Sequence, residues 1–175
     1  IEDYAKAIEL DPNSKLLHFN RGASYSGLGQ YQRAIEDYDK GIELDPEDSR
    51  GYSGRGVVYG KLDQHQQAID DYTETIRLDP KHLDAYNNRA ASYIELRQPD
   101  QAMPDLDQAL NIDANSASAH ALRAMANTLL GDDDQAKQDS DRAISLGFDP
   151  QALEYLVMRA VQQRVPDIGG NGPQN

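Results

Sequence analysis

Four histidines, His18, His65, His82 and His120, are the first residues to weigh as catalysts or metal ligands. No two of them fall within one helical turn, so no pair shares a helix face to hold an ion or relay a proton. They read as ordinary helix and loop residues. Asp132-Asp133-Asp134 follows Gly131 and superficially resembles a calcium loop. It lacks the alternating ligands and the closing Glu of such a loop. A run of Asp also suits a helix N-terminus, where it caps free N–H groups and meets the positive end of the dipole. Cysteine is absent, which removes disulfides and thiolate metal sites. There is no glycine-rich phosphate loop and no Asn-x-Ser/Thr acceptor. The sequence therefore assigns no catalytic residue, no metal and no cofactor, and the chain is expected not to be an enzyme.

The charges are more regular than the histidines. Arg21, Arg55, Arg89 and Arg123 lie 34 residues apart, and so do Asp3, Asp37, Asp71, Asp105 and Asp139. A partly buried Arg requires a partner, and a carboxylate matches its planar fork. These columns therefore form a structural charge ladder between antiparallel helices. Two pairings are open: within one repeat, as Arg21 with Asp37, or across repeats, as Asp3 with Arg21. Aligning Leu156–Ala160 with Tyr86–Ala90 brings Arg159 into the Arg column. Pairing across repeats then gives complete pairs up to Asp139–Arg159, and that ladder is favoured.

The elements that must position these residues follow from the same period. Pro12, Pro46 and Pro80 each end a Leu-Asp-Pro triplet. Ala34, Ala68, Ala102 and Ala136 keep the spacing, as do Gly22, Gly56, Ala90 and Ala124. Tyr25, Tyr59 and Tyr93 continue it, with Asn127 as the fourth member; Tyr4, Tyr38 and Tyr72 are followed by Leu106 and Ser140. Each period reads as two helices. Leu17 to Leu28 carries the first, ended by Gly29 in the left-handed conformation that helix C-termini favour. Gln32 to Leu44 carries the second, with Ala34, Ile35, Tyr38 and Ile42 on one face, and Pro46 stops it. The small columns let the two backbones approach closely.

The period and this pattern of small residue, Tyr, Ala, aromatic and Pro resemble the tetratricopeptide repeat (TPR) family. The resemblance implies an all-α, right-handed superhelical solenoid of antiparallel helix pairs, about ten helices in all. Full repeats are read at 15–48, 49–82, 83–116 and 117–150. Residues 1–14 are the second helix of a preceding repeat, so the chain is expected to be a fragment. Residues 1–165 form one domain. Its last part, 151–165, is a capping helix that presents Leu153, Leu156, Val157, Ala160 and Val161 and packs on the second helix of the fourth repeat. The Gly- and Pro-rich tail 166–175 is expected to be disordered. Pro99 opens a helix and Pro104 is expected to kink one. In this family the usual residue of the Arg column is apolar, so that column is a departure.

The resemblance also implies a function, a protein–protein interaction scaffold that holds an extended peptide or a partner helix in its concave groove. The groove residues it implies are Phe19, Asn20, Ala23, Ser53, Val57, Asn87, Asn88, Ala91, Leu122 and Met125. Gly54 and Gly60 leave room for a partner's backbone. The family's carboxylate clamp does not carry over, because its second positions are here Leu16, Arg50, Asp84 and Ser118. Self-assembly into homo-oligomers is one alternative, and service as the TPR arm of a larger enzyme is another. A net charge of −13, from 30 acidic against 17 basic residues, argues against nucleic acid and against anionic membrane surfaces. No run approaches the ~18 apolar residues of a membrane span, and a soluble, cytoplasmic chain with a protein or peptide partner is the expectation.

Overall fold

The computed structural model describes residues 1–164; the 166–175 tail expectation lies outside them. Ten helices follow in order, and there is no strand among the described residues: α1 (Glu2–Leu10), α2 (Lys15–Gly27), α3 (Tyr31–Leu44), α4 (Ser49–Lys61), α5 (His65–Leu78), α6 (Leu83–Glu95), α7 (Pro99–Ile112), α8 (Ala117–Leu130), α9 (Asp133–Ser145) and α10 (Pro150–Arg164). α2 and α3 begin two and one residues earlier than their apolar pattern suggests, and the Asp48 side chain caps α4 by accepting from the Arg50 amide. The chain forms two compact units, Ile1–Leu96 and Arg97–Asn175. The division falls in the short turn between α6 and α7.

In the first unit α2 packs on α3 and α4 on α5, and each second helix then packs on the first helix that follows it. The small columns permit this. Gly22 and Gly56 are buried in α2 and α4, and Ala34 and Ala68 are buried opposite them in α3 and α5. Glycines also seat the large rings. A methyl group at Gly41 would lie 2.2 Å from Phe19 Cε1, and one at Gly51 would lie 2.8 Å from the same atom. Phe19 therefore sits between α3 and α4, with only 6% of its surface exposed. Burying a ring of that size stabilises by roughly 1.5–3 kcal/mol. Its ring meets Tyr38 at 6.3 Å and a tilt of 34°.

The first helices end alike. In α2 the Gly29 amide donates to Ser26 O and the Gln30 amide to Tyr25 O, and α4 repeats the pattern with Asp63 to Gly60 and Gln64 to Tyr59. In α8 the donors are Gly131 and Asp132. This is the paired closure that needs a left-handed residue just past the helix. Gly29 and Gly131 have φ of 72° and 87°, as expected, but Asp63 and Arg97 hold the same place at 56° and 59°.

In the second unit α7 packs on α8 and α8 on α9. Pro99 opens α7, as its fixed φ suits a first turn. Pro104 lies within α7 on its exposed side, and the helix runs through it to Ile112. The capping helix departs from expectation: α10 packs chiefly on α8, the first helix of its repeat, rather than on α9. The residues of α9 explain this. In the columns where α3 and α5 bury Ile35, Ile69, Tyr38 and Tyr72, α9 presents Lys137 and Ser140. That face offers little apolar surface to a following helix. Leu153 of α10 joins Ala121 of α8 and Ala143 of α9 in one buried cluster. Of the cap's expected apolar face, Leu153 and Ala160 are buried, Leu156 and Val157 are half-buried, and Val161 is exposed.

Asp63 holds a backbone conformation that costs an L-residue about 1–2 kcal/mol, while glycine gives back part of that as chain entropy. Asp63→Gly should therefore raise the unfolding free energy by about 0.5–1 kcal/mol in urea titration, and Gly29→Ala should lower it by a similar amount. A loss of stability in Asp63→Gly would contradict the strain.

Candidate functional site

The second helices α3, α5 and α9 each carry a buried carboxylate near the middle, and the first helix of the same repeat supplies its partners. Arg21 donates through Nε and Nη2 to Asp37 at 2.8 and 2.7 Å. Arg55 does the same to Asp71 at 2.9 and 2.6 Å, and Arg123 to Asp139 at 2.9 and 2.8 Å. The ladder is thus paired within the first, second and fourth repeats, which corrects the favoured cross-repeat order. Asp3 is exposed on α1, and Asp139 is engaged by Arg123, His120 and Asn127. Arg159 is half-buried on α10. Arg89 donates to Thr73 Oγ1 at 2.9 Å, and Asp105 is buried in α7.

The repeats are linked by a different column. The second amino group of Arg55 reaches Asp39 of α3, and that of Arg123 reaches Asp107 of α7 at 3.1 Å. Asp39, Thr73 and Asp107 are also 34 residues apart. Each lies 16 residues before its Arg, and the spacing was available in the sequence. Hydrogen bonds donated to Asp71 raise the Arg55 guanidinium further above its ordinary range, while burial pushes the Asp71 carboxyl up against that pull.

Two histidines belong to this layer, contrary to their reading as ordinary residues. His18 places Nδ1 3.3 Å from Asp37 Oδ1 and Nε2 3.2 Å from Pro12 O. His120 places Nδ1 2.9 Å from Asp139 Oδ1 and Nε2 3.3 Å from Ala114 O. Tyr86, in the same column, donates its hydroxyl to Pro80 O at 3.4 Å. The column ties a first helix to the turn before it. Asn127, which replaces Tyr in the fourth repeat, donates to Asp139 Oδ2 at 3.2 Å. Where Tyr is kept, it meets the guanidinium instead: the Tyr25 ring lies 6.0 Å from Arg21 and 5.4 Å from Arg33. A recess of about 320 Å³ opens beside this cluster, lined by His18, Arg21, Arg33, Glu36 and Lys40 among others. Its charges of both signs face one another. Among the described residues no group of His, Asp and Glu is arranged to hold a metal ion.

The expected groove residues divide into those a partner can reach and those it cannot. On α2, Asn20 and Ala23 are exposed; on α4, Ser53 and Val57 are half-buried; on α6, Asn88 and Ala91 are half-buried. Phe19, Asn87 and Met125 are buried and leave the groove set. Phe19 is drawn in by Gly41 and Gly51, and the Asn87 side-chain oxygen is buried without a hydrogen-bond partner. Leu122 is half-buried on α8. Gly54 leaves no room for a partner, because Tyr38 fills it: a methyl there would lie 2.3 Å from Tyr38 Cε1. Gly60 faces open space.

Paired helices stacked through small columns, with a row of small and amide side chains left on the first helices, define a helical-repeat scaffold. Tetratricopeptide repeat models match residues 16–48, 49–82 and 71–103, half of the chain, and the chain belongs to that family. Its fold is that of the TPR solenoid and is a protein–protein interaction scaffold. The crystal structure of YrrB, described as a TPR protein with an unusual peptide-binding site, is 23% identical; the match covers 92% of this chain and 83% of that one, at a TM-score of 0.76. MamA is 25% identical over 82% of this chain and 84% of its own, also at 0.76. The first TPR of Spaghetti (RPAP3), bound to the HSP90 peptide SRMEEVD, is 25% identical over 67% of this chain and 93% of its own, at 0.65. No curated protein matches the sequence. No helix among the described residues is long and apolar enough to cross a membrane.

The pairing is open to a double-mutant cycle. Arg55→Ala and Asp71→Ala should show a coupling of about 2–3 kcal/mol, because removing either partner leaves a buried charge behind. The Arg89–Asp71 cycle should stay below about 0.5 kcal/mol. Coupling in the second cycle and none in the first would restore the cross-repeat order.

Proposed function

We propose that the chain binds a segment of a partner protein on the face formed by α2, α4 and α6. The observation that carries this reading is the run of accessible small and amide side chains on successive first helices. Asn20 and Ala23 are exposed, and Ser53, Val57, Asn88 and Ala91 are half-buried. Small side chains let a partner backbone approach, and the amides of Asn20 and Asn88 can both donate to it and accept from it. Recognition of that kind depends on shape and shallow apolar contact more than on charge.

The peptide bound by RPAP3 ends in acidic residues. This chain has the wrong composition for such a ligand. Its second positions, Leu16, Arg50, Asp84 and Ser118, supply a single cation, and Arg50 is already paired with Asp48 at 2.5 Å. With a net charge of −13, a neutral or basic segment fits better than an acidic tail.

The test begins with peptides selected from a random library on the immobilised chain. Ala23→Arg together with Ala91→Arg should weaken the selected peptides at least ~10-fold, a loss of about 1.4 kcal/mol, while the helical circular dichroism stays unchanged. Gly54→Arg is unsuitable, since it would eject Tyr38. Peptides that bind the double variant as tightly as the parent would remove this face as the site.

A further inference from the structure

The ninth position of the first helices is accessible in three repeats and closed in the fourth. Ala23 is exposed and Val57 and Ala91 are half-buried, whereas Met125 of α8, a longer side chain, retains 2%. α10 packs on α8 beside α7 and α9. Leu153 meets Ala121, and Val157 and Val161 line one recess with Thr128. At the far end Arg164 donates to Thr128 O at 3.1 Å and to Asp133 Oδ1 at 2.6 Å. The Arg97 guanidinium donates to Gln163 O at 3.0 Å. On α8, therefore, Ala121, on the face that corresponds to the proposed one, is covered by α10.

The seating of α10 is incomplete. Only Leu153 and Ala160 are buried in it. Tyr155 and Met158 keep 63% and 52% of their surface exposed. A space of about 290 Å³ remains beside it, bounded by Ala136, Ser140, Val157 and Val161. The Arg164–Asp133 pair lies in solvent, where ion pairs hold weakly.

We infer that α8 carries a helix-binding surface, that α10 fills it as a self-ligand, and that the partner it takes is an amphipathic helix of the same chemistry. Such a helix has branched and small apolar residues at i, i+4 and i+7, as Leu153, Val157 and Ala160 are placed, and an Arg near its C-terminal end to meet Asp133. Charge favours the same partner, since Arg164 pairs with Asp133, which Asp132 and Asp134 flank in sequence. This inference rests on the reading of the first helices as the binding face, and it adds both a ligand class and a competitor.

The probe is a fluorescein-labelled synthetic peptide of residues 150–164, titrated against the full chain. The chain has no cysteine, so Ala121→Cys with Leu153→Cys can lock α10 in place by oxidation. Arg164→Ala should bind the peptide at least ~10-fold more tightly than the parent, because its own helix competes less. The oxidised cysteine pair should not bind, and reduction should restore binding. Equal affinity in all of these forms would overturn the inference. Ala23→Arg with Ala91→Arg should leave all of these affinities unchanged, which separates failure here from failure of the first-unit face. In the unaltered chain, hydrogen exchange should release α10 amides at least ~10-fold faster than α8 amides. Equal protection of the two helices would also overturn it.

Discussion

A carboxylate buried in the middle of α3, α5, α7 and α9 is the fixed point around which the helix pairs are arranged. Asp37, Asp71, Asp105 and Asp139 each retain 4% of their surface. A charge so placed is tolerated only with excellent geometry and with its lone pairs satisfied. Arg21, Arg55 and Arg123 supply the two-point contact, and His18, His120 and Asn127 occupy oxygens in the first and fourth repeats. The guanidinium must reach from the first helix, so the two helices have to lie close together, and the small columns allow that. The same guanidinium extends to Asp39 or Asp107 of the preceding repeat. A polar layer therefore links what the apolar layer packs.

This arrangement leaves one face of the first helices without internal work. Phe19, Tyr38 and Tyr72 are turned inward, and Gly41, Gly51, Gly54 and Gly56 take their rings. What stays outside on α2, α4 and α6 is small or amide-bearing, a surface suited to another chain's backbone. In the second unit Ala121, on the corresponding face of α8, is covered by α10. Lys137 and Ser140 explain why: they make α9 a poor platform for one more helix, so the last helix turns to α8.

Much of this was legible in the sequence, for a physical reason. A 34-residue period shared by several columns fixes the helix pairs, their ends and their small contact positions, because each repeat solves the same packing problem. Choosing between neighbours was harder. An Arg at the seventh position can face an Asp 16 residues after it or 18 before it, and both satisfy antiparallel geometry. The deciding column, Asp39, Thr73 and Asp107, shows the true neighbour across repeats, but only if it is read together with the first. Phe19 was read as a groove residue because its position on a helix face says nothing of the glycines at 41 and 51 that draw it in. The course of α10 depended on Lys137 and Ser140, which look like simple degeneracy until their columns are seen as the platform for the next helix. Of the groove residues expected on α8, Met125 is buried and Leu122 is half-buried.

The most direct test of the buried carboxylates is a set of isosteric replacements compared by urea unfolding. Asp37→Asn, Asp71→Asn and Asp139→Asn remove the charge that faces the Arg fork, and Asp39→Asn and Asp107→Asn remove the exposed charge that joins neighbouring repeats. The first three should each lower stability by about 3–5 kcal/mol, because an Arg is left in a partly buried site without its counter-charge. The other two should each change it by less than about 1 kcal/mol. Equal, small losses at all five positions would contradict the account and make the ladder a surface feature.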